Sequence, residues 1–162
     1  MITAGVITVS DKGSRGERDD ISGREIIRVL KEMSASVTDY EIIPDEKELI
    51  KQKLTEYTDR KNLDLVITTG GTGVSPRDLT PDATLEIIEK EIPGMSEAMR
   101  RESGVKTPHA MISRAVVGIR RHSLIINLPG SPKGAVENLL VIIPALKHAI
   151  DKIKGDETDC GL

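Results

Sequence analysis

The sequence predicts an α/β protein with three layers, in which helices cover both faces of a mostly parallel, mixed sheet. Short apolar runs rich in β-branched residues alternate along the chain with segments whose apolar residues recur at helical spacing. The runs are continuously apolar, as expected for strands that are covered on both faces. Because such an alternation is typical of strands joined by crossover helices, most of the strands are expected to be parallel.

The first part of the chain predicts the order strand, helix, strand, helix. Residues 4–10 form the first predicted strand, and a charged, glycine-containing loop follows over residues 11–20. Ser22 is expected to cap the next helix through its hydroxyl group. A second strand is predicted over residues 35–43, and Asp45 is a candidate cap for the helix that follows it.

The middle of the chain continues this alternation. A third strand is predicted over residues 63–69 and leads directly into a glycine-rich segment. A helix is expected to begin near Thr80, with a proline in its first turn, and Pro93 is expected to interrupt it. A short helix is predicted over residues 95–102, whereas the pattern over residues 109–121 favours no particular element.

The last part of the chain predicts a strand over residues 123–128 and a long helix over residues 134–154. With 162 residues and no linker or repeat, the chain is long enough to bury the core of one domain. We therefore expect a single α/β domain over residues 1–154 and a polar C-terminal tail over residues 155–162. The one cysteine, Cys160, lies in that tail and has no partner for an internal disulfide.

The composition argues against several classes of function. The formal net charge is −3 and the only aromatic residues are Tyr40 and Tyr57, so neither a generally basic surface nor stacking platforms for nucleic acid are expected. No apolar run approaches the length of a membrane span, and the first ten residues do not resemble a secretory signal. We therefore expect a cytoplasmic protein that binds neither nucleic acid nor membrane.

Four loops are expected at the edge of the sheet where ligands bind. In open α/β sheets this edge is formed by the carboxyl ends of the strands. The loops predicted there span residues 10–20, 44–45, 70–78 and 129–134. The candidate functional residues are therefore sought in these loops.

The most informative of these loops begins with Gly70, Gly71, Thr72 and Gly73. Glycine permits conformations in which backbone N–H groups point outward, and such a concavity binds phosphate oxygens. The threonine hydroxyl adds a donor, Arg77 adds a cation, and the start of the next helix adds free amides. The segment matches neither a Walker phosphate loop nor the dinucleotide-binding fingerprint. A purely structural turn is the alternative interpretation.

Two further loops have similar chemistry. The segment over residues 129–134 combines glycine, a hydroxyl group and a lysine at the start of a helix. The loop after the first strand contains hydroxyl groups together with Lys12 and Arg15. Each loop alone also fits an ordinary turn or a solvated surface loop. Together with the glycine-rich segment, they predict a site that holds a chain of phosphate groups.

Three carboxylates are expected at the same edge, those of Asp45, Asp78 and Asp82. Acidic groups beside a phosphate site are costly unless a divalent cation lies between them, and Mg²⁺ commonly uses one or two carboxylates plus substrate phosphates. The sequence therefore predicts a magnesium site. The alternatives are a helix cap for Asp45, a first-turn acid for Asp82 and a simple ion pair for Asp78.

The ordered set of motifs resembles the MogA/MoaB family, which includes the G domain of gephyrin and plant molybdopterin adenylyltransferases. The resemblance extends from about Gly5 to Lys154. Its main motifs are Val9-Ser-Asp11, Pro44-Asp-Glu46, Thr69-Gly-Gly-Thr-Gly73, Pro76-Arg-Asp-Leu-Thr-Pro-Asp-Ala-Thr84, Pro93-Gly-Met-Ser-Glu-Ala-Met-Arg100, Ala110-Met-Ile-Ser-Arg114 and Ile125-Ile-Asn-Leu-Pro-Gly-Ser-Pro-Lys133. Several separated motifs in the same order make the match specific.

This resemblance implies a homotrimer that transfers AMP from Mg²⁺-bound ATP to the terminal phosphate of molybdopterin, alongside other proteins of the molybdenum-cofactor pathway. Asp45 and Asp78 match the family's essential aspartates and would position Mg²⁺. Ser113 matches a serine that handles the adenylylated product, and Glu97 matches a position near the adenine pocket. The full set implied to bind substrate is Ser10, Asp11, Ser22, Gly70, Gly71, Thr72, Gly73, Arg77, Glu97, Pro129, Gly130, Ser131 and Lys133.

Three other functions fit parts of the pattern. A MoaB-type member of the family would bind molybdopterin with little or no adenylyl transfer, although the complete segment over residues 76–81 and Asp45 favour the active form. A trimeric scaffold without catalysis is the second alternative. A nucleotide-binding module of an unrelated pathway is the third.

Overall fold

A six-stranded sheet organises the chain in the computed structural model, which describes residues 1–158. The strands are β1 (Thr3–Val9), β2 (Ser36–Ile43), β3 (Leu65–Thr69), β4 (Lys90–Glu91), β5 (Val117–Arg120) and β6 (Ser123–Leu128). Their spatial order is β2–β1–β3–β6–β5–β4. Cys160 and the part of the predicted tail beyond residue 158 lie outside the described residues.

Helices connect most of these strands. The α-helices are α1 (Asp11–Ser14), α2 (Ile21–Glu32), α3 (Lys47–Thr55), α4 (Thr80–Ile87), α5 (Pro93–Lys106) and α6 (Pro132–Ile153). A π-helical turn over Glu56–Arg60 continues α3, and a 3₁₀ turn over Pro108–Ile112 follows α5. In the part of the chain that is described, no helix has the length and apolar character needed to span a membrane.

The sheet is mixed, as predicted. β2, β1, β3 and β6 are parallel neighbours, whereas β5 and β4 extend the sheet in antiparallel order. β5 lies in the segment over residues 109–121, for which the pattern favours no element. Because four neighbouring strands are parallel, their carboxyl ends meet at one edge of the sheet.

Helices pack on both faces of the sheet and bury an aliphatic core on each. On one face, α2, α5 and α6 contribute Ile26, Met99 and Leu139. On the other face, α3 and α4 contribute Leu54 and Ala83. The predicted three-layer α/β/α architecture is therefore confirmed, and the sheet is a rigid support for the loops at its edge.

The cap of α2 differs from the predicted one. Asp20, not Ser22, caps this helix, because its Oδ1 accepts a hydrogen bond from the N–H of Gly23 at 2.9 Å. Ser22 is buried in the first turn, where its Oγ donates to the carbonyl oxygen of Gly130 at 2.7 Å. The serine hydroxyl thus joins two loops at the sheet edge instead of capping a helix.

Asp45 is not a helix cap either. Glu46 precedes α3 and makes no side-chain capping bond, whereas the Asp45 carboxylate accepts a hydrogen bond from the N–H of Asp11. The loop predicted over residues 11–20 begins with the short helix α1, whose cap is Ser10. Asp45 therefore faces the neighbouring loop and not its own helix.

The chain around Pro93 also differs from the prediction. α4 ends at Ile87 and Pro93 begins α5, which extends to Lys106, so the proline starts a helix and interrupts none. Between the two helices, Lys90 and Glu91 form β4, which pairs with β5 and so takes the chain out of helical conformation. Proline fits the first turn of a helix because its missing N–H is not needed there.

Asn127 joins the sheet to α4 from a fully buried position on β6. Its Nδ2 donates to the hydroxyl groups of Thr68 and Thr84, each at 3.0 Å, and its Oδ1 accepts from the N–H of Val116 at 3.1 Å. Buried polar groups of this kind are stabilising only when their partners are in place. The network therefore fixes α4 against the carboxyl ends of the strands.

Candidate active site

A cavity of about 710 Å³ opens at the carboxyl edge of the sheet. All four loops predicted to lie at this edge contribute to its wall. The predicted site residues that line it are Ser10, Asp11, Ser22, Asp45, Gly70, Gly71, Asp78, Gly130 and Ser131. The parallel strands therefore bring together candidate residues from distant parts of the sequence.

Close backbone contact explains the glycines after β3. Gly70 has a φ of +100°, and a Cβ atom there would lie 2.3 Å from the carbonyl oxygen of Val9. Gly71 has a φ of +66°, and a Cβ atom there would lie 2.5 Å from Oγ1 of Thr80. That hydroxyl donates to the Gly70 carbonyl at 2.9 Å. Side chains are excluded, so the backbone itself forms this part of the wall.

Asp11 and Asp45 connect the loops after β1 and β2 through reciprocal hydrogen bonds. The Asp11 N–H donates to Asp45 Oδ2 at 2.9 Å, and the Asp45 N–H donates to Asp11 Oδ1 at 3.0 Å. Arg77 adds a third loop, because its Nε and Nη2 donate to the Asp11 carboxylate at 2.6 and 2.9 Å. The hydrogen bonds from Arg77, with a smaller contribution from the Asp45 N–H, lower the pKa of Asp11 to about 2. Arg77 thus pairs with Asp11 and is not among the residues that line the cavity.

Asp45 and Asp78 are acids of the cavity wall without a cationic partner. Asp45 Oδ1 lies 3.1 Å from the position of a Cβ on Gly71, and Asp78 Oδ2 lies 2.8 Å from the corresponding position on Gly73. Burial raises the pKa of Asp45, and the charges of Asp11 and Asp78 add to the rise. Both carboxylates lie beside the glycine turn, and neither forms an ion pair with a side chain within residues 1–158.

Lys12 and Arg18 are cations of the cavity wall without an acidic partner. In the part of the chain that the structure describes, neither forms an ion pair. Arg15, which the sequence suggests beside Lys12, donates instead to the Glu17 carboxylate through two bonds of 3.0 Å. Sequence reasoning misses Arg18, because loop composition does not show which arginine is already paired. The cavity wall thus presents carboxylates and cations that have no ion-pair partner among the described residues, including Asp45, Asp78, Lys12 and Arg18.

A second cavity, of about 260 Å³, adjoins the same loops. The predicted residues that line it are Thr72, Gly73, Ser113, Pro129 and Ser131, of which Ser131 also lines the larger cavity. Ser113 therefore lies in a different cavity from Asp45 and Asp78. The turn over residues 70–73 contributes to both walls.

Three predicted residues, Arg77, Glu97 and Lys133, belong to neither wall. Glu97 is exposed on α5, and Lys133 is exposed in the first turn of α6. Conversely, Thr8 and Asp20 line the larger cavity, although the sequence motifs do not predict them as binding residues. Thr8 Oγ1 donates to Asp20 Oδ2 at 2.6 Å, and the Tyr40 hydroxyl donates to the same oxygen. Thr8 could be predicted as a residue of the cavity wall, because its hydroxyl group lies near the end of a buried strand.

Mg²⁺ fits this site as an ion shared between protein carboxylates and a phosphorylated ligand. Within residues 1–158, no group of three or more histidine, cysteine, aspartate or glutamate residues is placed to hold a metal ion. Asp45 and Asp78 match instead the mode in which one or two carboxylates share the ion with substrate phosphates. The donor set therefore suits Mg²⁺ that arrives with a phosphorylated ligand.

A glycine turn at the carboxyl edge of a parallel sheet, between unpaired acids and cations, is typical of α/β proteins that bind phosphorylated ligands. Comparison with known proteins identifies the family within this class. Residues 5–148 match the family described as "Probable molybdopterin binding domain". The chain therefore belongs to this family of molybdopterin-binding domains.

Individual relatives agree with this assignment. The chain is 44% identical to the molybdopterin adenylyltransferase of Helicobacter pylori, over 96% of this chain and 89% of that protein. The solved structure of the molybdopterin biosynthesis enzyme MoaB from Thermus thermophilus matches with a TM-score of 0.91 and 49% identity, over 96% of this chain and 98% of that one. Gephyrin of Dictyostelium discoideum is 45% identical over 92% of this chain, which spans 22% of that protein. The family predicted from the motifs is confirmed.

Replacing Arg77 with glutamine should raise the pKa of Asp11 from about 2 toward the ordinary aspartate value of about 3.9. The substitution removes the charged hydrogen bonds that favour the ionised carboxylate. In the wild type, the stabilisation from this pair is complete above pH about 3.9 and is lost as the pH falls through about 2. Carbon-13 NMR titration of the side-chain carboxyl groups measures both values.

Arg15→Gln is the matched control, because Arg15 is the smallest of the named contributions to the pKa of Asp11. Its Asp11 carboxyl should titrate close to the wild-type value. Equal shifts in the two variants, or no shift in Arg77→Gln, would contradict the pairing of Arg77 with Asp11.

Proposed function

We propose that this protein is a molybdopterin adenylyltransferase, which transfers AMP from ATP to the terminal phosphate of molybdopterin and releases pyrophosphate. The observation that supports this most strongly is the placement of two carboxylates without an ion-pair partner, those of Asp45 and Asp78, beside the glycine turn. The Helicobacter pylori relative named for this activity supports the choice of substrate.

Charge repulsion is the main obstacle to this reaction, because both reactants bring phosphate groups to the same place. An oxygen of the molybdopterin phosphate attacks the α-phosphorus of ATP, and the bond to the bridging oxygen of the leaving pyrophosphate breaks. Mg²⁺ held by Asp45 and Asp78 would neutralise phosphate oxygens and polarise the reacting group. The backbone amides of residues 71–73 would bind the remaining oxygens, whereas the Gly70 N–H already donates to the Leu128 carbonyl. Positioning and charge neutralisation supply most of the catalysis in such transfers.

The two cavities would each accommodate one substrate. They adjoin at the turn over residues 70–73, so a ligand in each would bring its phosphate end to that turn. Lys12 and Arg18 would contact the triphosphate and the leaving pyrophosphate in the larger cavity. Ser113 would contact the adenylylated product from the smaller cavity.

We also infer a homotrimer that acts in the cytoplasm with other proteins of the molybdenum-cofactor pathway. Val105 on α5 is 83% exposed and Met111 in the 3₁₀ turn is 76% exposed. In the trimer these exposed apolar side chains would lie in the contacts between protein chains.

Purified protein incubated with molybdopterin, ATP and Mg²⁺ should release pyrophosphate in step with the formation of adenylyl-molybdopterin. Asp45→Asn and Asp78→Asn should each lower kcat about a hundredfold or more, because the metal that neutralises the phosphates is no longer held. Asp151→Asn changes an acid of α6 that pairs with Lys147 in its own helix, and this control should keep wild-type activity.

Two outcomes would contradict this proposal. Binding of molybdopterin without release of pyrophosphate would favour a MoaB-type binding protein. Wild-type activity in Asp78→Asn would remove the proposed metal site.

Lys12→Gln and Arg18→Gln should each raise the KM for ATP roughly tenfold, because a cation that faces the triphosphate is lost. Steady-state kinetics at saturating molybdopterin measure this effect. Lys31→Gln removes an exposed charge from the last turn of α2, far from the cavity, and should leave the KM unchanged. A wild-type KM for ATP in both Lys12→Gln and Arg18→Gln would show that the two cations do not face the nucleotide.

A further inference from the structure

Arg114 joins the Asp78 loop, defined as residues 72–78, to the body of the protein. Its backbone N–H donates to the Thr72 carbonyl at 2.8 Å, and its Nε donates to the Gly73 carbonyl at 2.8 Å. Its Nη2 donates to the Asp78 carbonyl at 2.6 Å. One residue thus holds carbonyl groups at both ends of the loop.

The Asp82 carboxylate fixes the other side of the guanidinium group. Nη1 of Arg114 donates to its two oxygens at 3.2 and 3.1 Å, and Nη2 donates to Oδ2 at 3.1 Å. Asp82 lies in the first turn of α4, and Thr84 anchors that helix to Asn127 in the sheet. Arginine suits this position because its planar group presents five donors in a fixed fork. The contacts therefore run from the buried sheet through α4 to the loop.

Few other contacts hold this loop in place. The Asp78 N–H donates to the Ser75 carbonyl at 2.9 Å and the Ser75 N–H donates to Asp78 Oδ2 at 3.0 Å, but these bonds lie within the loop itself. Val74 is 65% exposed, so apolar packing adds little. Arg77 attaches the loop on the side of Asp11. The position of Asp78 thus depends on Arg114 on one side and Arg77 on the other.

We propose that Arg114 is a positioning residue for adenylyl transfer, which holds the Asp78 carboxylate in place for the metal-bound phosphates. It acts through the loop carbonyls and Asp82 and contacts no reacting group. Because Arg114 directly follows Ser113, its hydrogen bonds link the wall of the smaller cavity to the Asp78 loop. This inference rests on the proposed function.

Arg114→Lys tests the proposal, because lysine keeps the charge but cannot form the fork. Hydrogen–deuterium exchange should be at least about fivefold faster in peptides that cover residues 72–80, with unchanged exchange in β1, β3 and β6. In the adenylylation assay, kcat should fall roughly tenfold and the Mg²⁺ concentration for half-maximal rate should rise. The KM for molybdopterin should stay near the wild-type value.

Arg120→Lys is the matched control. Arg120 also donates to an aspartate, Asp59, at 2.6 and 2.9 Å and to a helix carbonyl, that of Ile87, at 2.8 Å, but at the opposite edge of the sheet. This variant should lower the midpoint of thermal unfolding without changing loop exchange or the Mg²⁺ requirement. Asp82→Asn should loosen the loop as Arg114→Lys does, to a smaller extent.

Wild-type loop exchange in Arg114→Lys would overturn the proposal, and so would equal acceleration in both arginine variants. Faster loop exchange with an unchanged kcat and Mg²⁺ requirement would also overturn it. Absence of AMP transfer in the wild type would refute the proposed function instead. The exchange measurement does not depend on activity, so it decides in either case whether Arg114 holds the loop.

Discussion

Three backbone segments meet at Gly70 without room for a side chain, and the rest of the site depends on this contact. A Cβ atom on Gly70 would lie 2.3 Å from the Val9 carbonyl oxygen, and a Cβ atom on Gly130 would lie 3.3 Å from the Cα of Gly70. The Gly70 N–H also donates to the Leu128 carbonyl at 3.1 Å. The ends of β1, β3 and β6 are thereby held together. Because the loops after these strands contain hydroxyl groups, acids and cations, this contact determines which of them share a cavity.

Ion pairing then separates the charged groups that serve the structure from those that a ligand can use. Several acids near the cavity are already neutralised by arginine, in the pairs Asp11–Arg77, Asp19–Arg24 and Glu17–Arg15, at 2.6 to 3.0 Å. Exposed pairs of this kind contribute little to stability. They leave Asp45 and Asp78 facing the cavity without a cation, and Lys12 and Arg18 without an acid. A ligand that combines a divalent cation with a chain of phosphates matches both groups at once.

The apolar pattern predicts more of this fold than of its site. The strand over residues 123–128 has the predicted bounds, because apolar residues occupy most of it and a proline follows it directly. β5 has four residues and is stabilised by pairing with β6, a contact that local pattern does not show. Asp20 and Ser22 are both good capping residues, and the choice between them depends on the contact of Ser22 with Gly130. For the same reason the sequence cannot show that Arg18 is unpaired, since pairing is decided by tertiary structure.

A crystal structure with Mg²⁺ and an ATP analogue that resists cleavage between its α- and β-phosphates would show whether Asp45 and Asp78 hold the metal of the bound nucleotide. An ion is expected about 2.1 Å from oxygens of Asp45, Asp78 and the phosphates, beside the turn over residues 70–73. The triphosphate should lie within reach of Lys12 and Arg18. An ion and a triphosphate bound away from the glycine turn, with neither aspartate in contact with them, would contradict a metal site at Asp45 and Asp78.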